Sequence, residues 1–134
     1  MSSQKPVLVS GIKPTGELHI GNYFGAMRQL VELSKTGKYR SFIFVADYHA
    51  LNSVQDAEEM KLRIHELVMG YLAVGLDPKD VVFFKQSDVP AHTELVWIFD
   101  TITTMPYLMR AHAYKDAEAK NKEISVGTFN YPML

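Results

Sequence analysis

One stretch organises the rest of this chain: SGIKPTGELHIGN, from Ser10 to Asn22. The apolar run before it, Val7-Leu8-Val9, predicts a short buried strand over residues 6–12, and a periodic helix follows from about Tyr23 to Lys35. A strand, a glycine-rich turn and a helix N-terminus bring backbone N–H groups and the positive end of the helix dipole toward a bound anion. The stretch therefore predicts an anion site at the start of a helix.

The residue types in this stretch favour phosphate as that anion. Gly11, Gly16 and Gly21 allow sharp turns and a close approach of the backbone to a ligand. His19 and Asn22 stand where the helix begins, so their side chains can add donors to the backbone N–H groups. Two better-known phosphate loops do not fit: Asn22 stands where the Walker loop needs lysine, and no G-x-G-x-x-G occurs in the chain.

Further along the chain, strands and helices alternate. Residues 41–46 and 81–85 are strongly apolar and predict two more strands, and the first of these has the pattern of a central strand covered on both faces. Helices are expected to begin near Asp56 and Pro90. The order predicts an α/β fold with a Rossmann-like, doubly wound parallel sheet. Ligands of such sheets bind at the carboxyl ends of the strands, where the opening loop, Asp47, His49 and Gln86 are expected to lie.

Composition narrows the possible classes of protein. The 134 residues are 47% hydrophobic and 22% charged, with no cysteine and a net charge of −1. No apolar run is long enough to span a bilayer, and no leader pattern is visible, so a cytoplasmic protein without membrane contact is expected. The histidines at 65, 92 and 112 lack metal-ligand spacing, so no metal site is predicted. The small net charge gives no electrostatic footprint for nucleic acid.

The opening stretch resembles the "HIGH" signature of class I aminoacyl-tRNA synthetases. Its wider form, SGIKPTGELHIGNYFGA from Ser10 to Ala26, is similar to the tryptophanyl-tRNA synthetase family in particular. Four later segments resemble family segments in the same order: Asp47–Ala50, Tyr71–Pro78, Gln86–His92 and Asn130–Leu134. The resemblance covers essentially the whole chain.

This resemblance implies a place within a larger catalytic domain. Residues 1–134 would be the N-terminal half of a class I synthetase catalytic domain, an incomplete Rossmann-like sheet with a connective helical segment from about residue 88. The later glutamine-rich pocket strand and the KMSKS-type loop are not in the sequence. The isolated segment is therefore expected to be inactive or weakly active.

The resemblance also implies an activity. A member of the family activates tryptophan with ATP and Mg²⁺ to the adenylate and transfers the acyl group to tRNA(Trp), and family members are homodimers. The apolar residues expected at the subunit interface are Trp97, Phe99, Met105, Tyr107 and Met109.

Site residues follow from the matched motifs. The resemblance implies catalytic roles for His19, Asn22 and Lys13. It implies ATP binding by Gly11, Lys13, Pro14, Thr15, His19, Gly21 and Asn22. It implies amino-acid binding by Val9, His49 and Tyr131.

One segment departs from the family pattern. Many relatives carry Lys-Asp-Lys where this chain has Lys115-Asp116-Ala117. The contact to ATP phosphates that the second lysine makes would pass to Lys115, Lys120 or Lys122, or be absent. Residues 108–122 are polar, and either a mobile loop or a short exposed helix fits them.

Two other interpretations remain open. The chain could be another nucleotidyl transferase of the HxGH type, although that class normally has a second histidine where Asn22 stands. It could also be a truncated, non-catalytic fragment that folds or binds a partner without completing adenylation.

Overall fold

Three parallel strands, in the order β1-β2-β3, form the sheet. They span Val7–Ile12 (β1), Arg40–Val45 (β2) and Val81–Lys85 (β3). The structure is a computed structural model that describes residues 4–120 and 123–134. The predicted α/β fold with a parallel sheet is confirmed.

Each of the two crossovers between the strands contains a long helix. The first helix, α1, covers residues 20–35 in three continuous parts: α-helical Ile20–Asn22, a π-helical turn Tyr23–Met27 and α-helical Arg28–Lys35. The Arg28 N–H donates to the Tyr23 carbonyl, which is the spacing of a π-turn. Helix α1 ends at Thr36, and Gly37 then takes φ +65°, the usual glycine stop.

The second crossover begins with a short helix, α2 (Asp47–Ala50), followed by the long helix α3 (Ala57–Ala73). The Asp56 carboxylate accepts the Glu59 N–H at 2.8 Å, so the predicted N-cap is present. A single 3₁₀ turn, Gln86–Asp88, follows β3.

Both long helices pack on the same face of the sheet. Their apolar residues join alternate residues of β2 in one buried cluster: Met27, Leu30, Val31, Ile43, Val45, Leu67, Tyr71, Leu76 and Val81. Each large side chain buried there contributes about 1.5–3 kcal/mol. Tyr71 is fully buried with its ring edge-on to Phe83, and this burial raises the pKa of its hydroxyl group.

The second face of β2 is less buried than the sequence pattern predicted. Phe42 and Phe44 are only half-buried, whereas Ile43 and Val45 are buried. On the neighbouring strands, Val9 and Val82 pair in register with Phe42 and are exposed. The prediction that β2 is covered on both faces is therefore wrong for the described residues, because both crossover helices cover the same side.

The chain divides into two compact units, the first ending at Asp88 and the second spanning Val89–Leu134. The second unit is helical. Its elements are α4 (Ala91–Ile102), α5 (Met105–Leu108), α6 (His112–Ala119), α7 (Val126–Asn130) and a 3₁₀ turn (Tyr131–Met133). The Asn130 amide donates to the Asp100 carboxylate at 2.8 Å and links α7 to α4.

Two of the predictions made from the sequence concern helices of this second unit. Helix α4 begins at Ala91, directly after Pro90 as predicted. For the described part of residues 108–122, α6 decides the open alternative in favour of a short helix. The assignment of residues 1–134 to one catalytic domain with a connective helical segment from about residue 88 stays a prediction. In the part of the chain that is described, no helix has the length and apolar character that crossing a membrane requires.

Candidate functional site

The carboxyl ends of the three strands form a row. In register, Ile12 is beside Val45 and Val45 is beside Lys85, and the Ala46 N–H donates to the Ile12 carbonyl at 2.9 Å. Lys13 and Gln86 directly follow β1 and β3, and Asp47 follows β2 after Ala46, so the opening loop, α2 and the 3₁₀ turn all begin at one edge of the sheet. This is the edge where parallel α/β sheets bind ligands.

His19 is the N-cap of α1, and Asn22 is its reciprocal partner. The Gly21 N–H donates to His19 Nδ1 at 3.1 Å, and the His19 N–H donates to Asn22 Oδ1 at 2.9 Å. The two bonds form a capping box, with histidine in the place that serine or threonine usually takes. The cap fixes the imidazole ring relative to the helix axis.

This cap also decides which nitrogen of His19 carries the proton. A backbone N–H can only donate, so Nδ1 must be the acceptor and the ring proton is on Nε2. His19 is an exposed residue. The loop therefore presents a neutral N–H donor to solvent at the ligand edge, which suits hydrogen bonding to an anionic oxygen.

The backbone N–H groups of the first turn contribute less than the sequence suggested. The Gly21 N–H is used by His19 Nδ1, and the Asn22 N–H donates to the His19 carbonyl at 2.9 Å. The expectation of free backbone donors at the helix start is therefore wrong for these two groups. The physical reason is that the histidine caps its own helix.

The three glycines of the stretch serve three different purposes. Gly16 has φ +73°, a left-handed conformation that favours glycine at this turn. A Cβ on Gly21 would lie 2.8 Å from Cε1 of His19, so the missing side chain leaves room for the imidazole. Gly11 lies within β1, where a Cβ would be 2.7 Å from the Phe44 carbonyl oxygen. The close approach at Gly11 is thus to the neighbouring strand.

The remaining loop residues lie between β1 and the cap. Lys13 is exposed, Pro14 is buried and Thr15 is half-buried, with the Thr15 N–H donating to the Lys13 carbonyl at 2.9 Å. Val9 is 61% exposed on β1. The buried proline anchors a loop whose cationic and hydroxyl side chains stay accessible.

A second histidine, His49, lies at the same edge of the sheet and is held by a different kind of contact. His49 is half-buried in α2, and its Nδ1 is 3.0 Å from Oε1 of Gln86. The His49 backbone N–H donates to the same oxygen at 3.4 Å, so this atom is an acceptor and Nδ1 must donate to it. In the neutral ring, Nε2 is then the acceptor nitrogen. Gln86, which the sequence analysis only placed at this edge, is 1% exposed and orients His49.

Asp47 joins the ends of β2 and β3. Its carboxylate accepts the Ser87 N–H at 3.0 Å, the Ser87 hydroxyl and the Tyr48 N–H at 3.0 Å. With Asp47 only 8% exposed, these bonds give the buried charge the partners it requires. Sequence reasoning could have found the pair of Asp47 with Ser87 and the pair of His49 with Gln86. The first member of each pair follows one strand, and the second member follows the neighbouring strand.

The other predicted site residues lie in the second unit. Tyr131 is half-buried at the start of the last 3₁₀ turn. Lys120 forms an ion pair with Asp116 at 2.8 Å, whereas Lys115 is exposed and forms no ion pair within the described residues. Lys122 lies outside the described residues. Across residues 4–120 and 123–134, no group of three or more histidine or acidic side chains could hold a metal ion.

The sequence matches, over residues 1–134, the family described as tRNA synthetases class I (W and Y). Among curated relatives, a tryptophan–tRNA ligase of Fusobacterium nucleatum is 50% identical over 126 residues, which cover 94% of this chain and 38% of the relative. A tryptophan–tRNA ligase of Campylobacter jejuni is 45% identical over 127 residues. The chain thus spans about 38% to 39% of the length of these relatives.

Solved structures show the same likeness. The crystal structure of tryptophanyl-tRNA synthetase from Campylobacter jejuni superposes with a TM-score of 0.88 at 42% identity, over 97% of this chain and 40% of that one. A structure of tryptophanyl-tRNA synthetase from the same organism, complexed with ADP and tryptophan, gives a TM-score of 0.86 at 44% identity, over 94% of this chain and 39% of that one.

Proposed function

The chain belongs to the class I tRNA synthetases for tryptophan and tyrosine, and we propose that it is the ATP-binding N-terminal part of a tryptophan–tRNA ligase. The curated relatives described above carry that name. The observation that carries the proposal is the capped His19, whose Nε2–H donor stands at the row of strand ends. No carboxylate partner to the His19 imidazole is seen in the described residues, so this donor suits an incoming anion.

The reaction that we propose is the activation of tryptophan. A carboxylate oxygen of tryptophan attacks the α-phosphorus of ATP and forms a new P–O bond. The bond from that phosphorus to the α–β bridging oxygen breaks, and pyrophosphate leaves with the electron pair. The adenylate then passes its acyl group to the 3′ end of tRNA(Trp), and AMP leaves. Such phosphoryl chemistry depends on positioning and on stabilisation of charge.

The loop supplies the groups that stabilise this charge. His19 donates from Nε2 to a phosphate oxygen as negative charge grows there, and Lys13 adds a cation beside it. Asn22 holds His19 through Oδ1, and its NH₂ group can donate to the nucleotide. The absence of a side chain at Gly21 leaves room for the imidazole, and Pro14 and Thr15 shape the rest of the loop. Gly11 precedes the loop near the end of β1, where it allows the close approach of the neighbouring strand.

The amino-acid side of the site is proposed from His49, Val9 and Tyr131. A related structure holds tryptophan together with ADP, which supports a shared site for the two ligands in this family. His49 offers an acceptor when neutral, and the exposed Val9 offers apolar surface at β1. In the second unit, Lys115 is favoured over Lys120 for the phosphates, since Asp116 already pairs with Lys120.

Mg²⁺ would arrive with ATP, bound to its phosphates. A homodimer is supported by the exposure of apolar residues in the second unit: Trp97, Phe99, Met105, Tyr107 and Met109 are between 42% and 72% exposed. Large exposed apolar surfaces of this kind mark protein interfaces. We place the protein in the cytoplasm, as expected of a bacterial-type synthetase.

The experiment is ATP–pyrophosphate exchange with tryptophan, with tyrosine and with no amino acid. It is run on the 134-residue chain and on a chain of the relatives' length that begins with it. We expect exchange with tryptophan only in the longer chain, and little or none in the 134-residue chain. Exchange with no amino acid would indicate another nucleotidyl transferase. Absence of exchange from the longer chain would contradict the proposal.

A further inference from the structure

Gly70 of α3 lies directly under the loop that carries His19. A Cβ built on Gly70 would overlap Cδ1 of Leu18, and it would lie 3.4 Å from Cε of Met27. Leu18 immediately precedes the N-cap His19, and Met27 is a buried residue of the π-turn in α1. The glycine thus forms a notch in α3, and the Leu18 side chain lies in it.

This glycine is unfavourable for the helix that contains it. Gly70 lies inside α3, about one turn before the helix ends, and its backbone is helical. Alanine at an interior helix position is more favourable than glycine, because glycine loses more conformational freedom on folding. A glycine here is therefore explained by the space it leaves and not by the backbone conformation it takes.

The contact reaches the loop directly beside the cap in sequence. The neighbours of Leu18, Glu17 and His19, are both exposed, and Leu18 itself is 39% exposed. Pro14 is buried at the other end of the loop. The loop is thus held at Pro14 and at Leu18, and the second attachment is adjacent in sequence to the imidazole.

We propose that Gly70 is a positioning residue: its notch receives Leu18 and thereby holds His19 where its Nε2–H can meet the ATP phosphates. Gly70 touches no ligand and acts through Leu18. The inference rests on the proposed function for the identity of the ligand, but the anchoring of the loop can be tested without any ligand.

The test is Gly70→Ala in the full chain, with two readouts. Amide hydrogen exchange over residues 13–22, without nucleotide, reports the anchor, and we expect it to become faster. ATP–Mg²⁺ affinity reports the consequence, and we expect a loss of about tenfold, as for one weakened hydrogen bond to a charged group. Tryptophan affinity and the thermal midpoint should not fall.

Two further variants make the test specific. Met69→Ala changes the neighbouring position of α3, whose side chain is 52% exposed, and should leave ATP affinity unchanged. Leu18→Ala removes the atoms that clash, so adding Gly70→Ala to it should cost less than about twofold, a non-additive result.

The outcomes separate the two proposals. Unchanged hydrogen exchange in Gly70→Ala, equal losses in both Leu18 backgrounds, or a lower thermal midpoint with loss of tryptophan binding would overturn the anchor. Faster exchange over residues 13–22 without any ATP binding by the unmodified protein would support the anchor and contradict the proposed function.

Discussion

Two histidines lie at the same edge of the sheet, and they are held in opposite ways. His19 is exposed, and its Nδ1 accepts a backbone N–H from its own helix. His49 is half-buried, and its Nδ1 donates to the side chain of Gln86, which is 37 positions away in the chain. The first ring therefore presents N–H at Nε2, and the second presents a lone pair there when neutral.

The different roles proposed for the two rings follow from this difference. A donor suits phosphate oxygens, whereas an acceptor suits the N–H groups of an amino acid, and each ring is set by the partner of its other nitrogen. The support of His19 is local and depends on a helix cap. The support of His49 is tertiary and depends on the alignment of β2 with β3.

The largest expected effect comes from His19→Asn. Asparagine is a good N-cap, so the helix start should be preserved, but the Nε2–H donor is lost. We expect pyrophosphate exchange in the chain of the relatives' length to slow by about 10²–10³-fold, as for removal of one donor to a charged transition state. The free energy of unfolding, measured in urea, should change by less than about 0.5 kcal/mol, because the cap remains.

The matched control is His65→Ala, which removes an exposed histidine from α3. It should leave both exchange and unfolding unchanged. If His19→Asn retains the rate of the unmodified protein, the donor role assigned to His19 is wrong and its imidazole is only a cap.

A smaller effect is expected from Gln86→Met, which is similar in size but lacks the accepting oxygen. The N–H and Nδ1 of His49 then lose their shared partner, which should lower the free energy of unfolding by about 1–3 kcal/mol. The KM for tryptophan should rise, while the KM for ATP should stay the same, since the cap at His19 does not use Gln86.

A double-mutant cycle with His49→Ala checks this coupling. The two substitutions should be non-additive, because both remove the same contact. Equal changes in the KM values for ATP and tryptophan would show that the two histidines are not independently supported.

The smallest effect concerns the turn that carries Gln86. The Lys85 N–H donates to the Asp88 carboxylate at 3.0 Å and holds the pKa of Asp88 below its ordinary value of 3.8. A lowered folded-state pKa stabilises the protein above pH 3.8, and this contribution is lost as the pH falls through the folded-state value. Asp88→Asn should therefore lower the free energy of unfolding by about a few tenths of a kcal/mol at pH 7.

Urea unfolding at several pH values measures this difference. The deficit of Asp88→Asn should disappear in strong acid, because the charge of Asp88 is then lost. A deficit that is constant from pH 7 to pH 2 would mean that the charge of Asp88 does not contribute.

Local patterns predicted much of this structure. The strand at Val81–Lys85, the N-cap at Asp56 and the helix after Pro90 depend on residues that are close together in sequence, so their signals are visible in a short window. The position of His19 at the helix start followed from the opening stretch for the same reason.

The remaining features depend on contacts between distant segments. The tautomer of His49 is set by Gln86, and the use of the Gly21 N–H by His19 depends on a side-chain torsion that no periodicity reports. Gly70 would look like an ordinary helix-weakening glycine, since its neighbour Leu18 is 52 positions earlier. The half-covered β2 could not be predicted because its apolar pattern does not say how many helices cover each face.

The π-turn at Tyr23–Met27 sets the angular phase of α1. Its extra residue rotates the segment Arg28–Lys35 by about one residue, roughly 100°, relative to a regular helix that starts at the same cap. The imidazole at the helix start and the sheet-facing stripe of Leu30, Val31 and Ser34 are aligned by that offset. A one-residue deletion within 23–27 would therefore give a regular helix with both the stripe and the imidazole still in place, whereas a regular α-helix of the full length would turn one of them away.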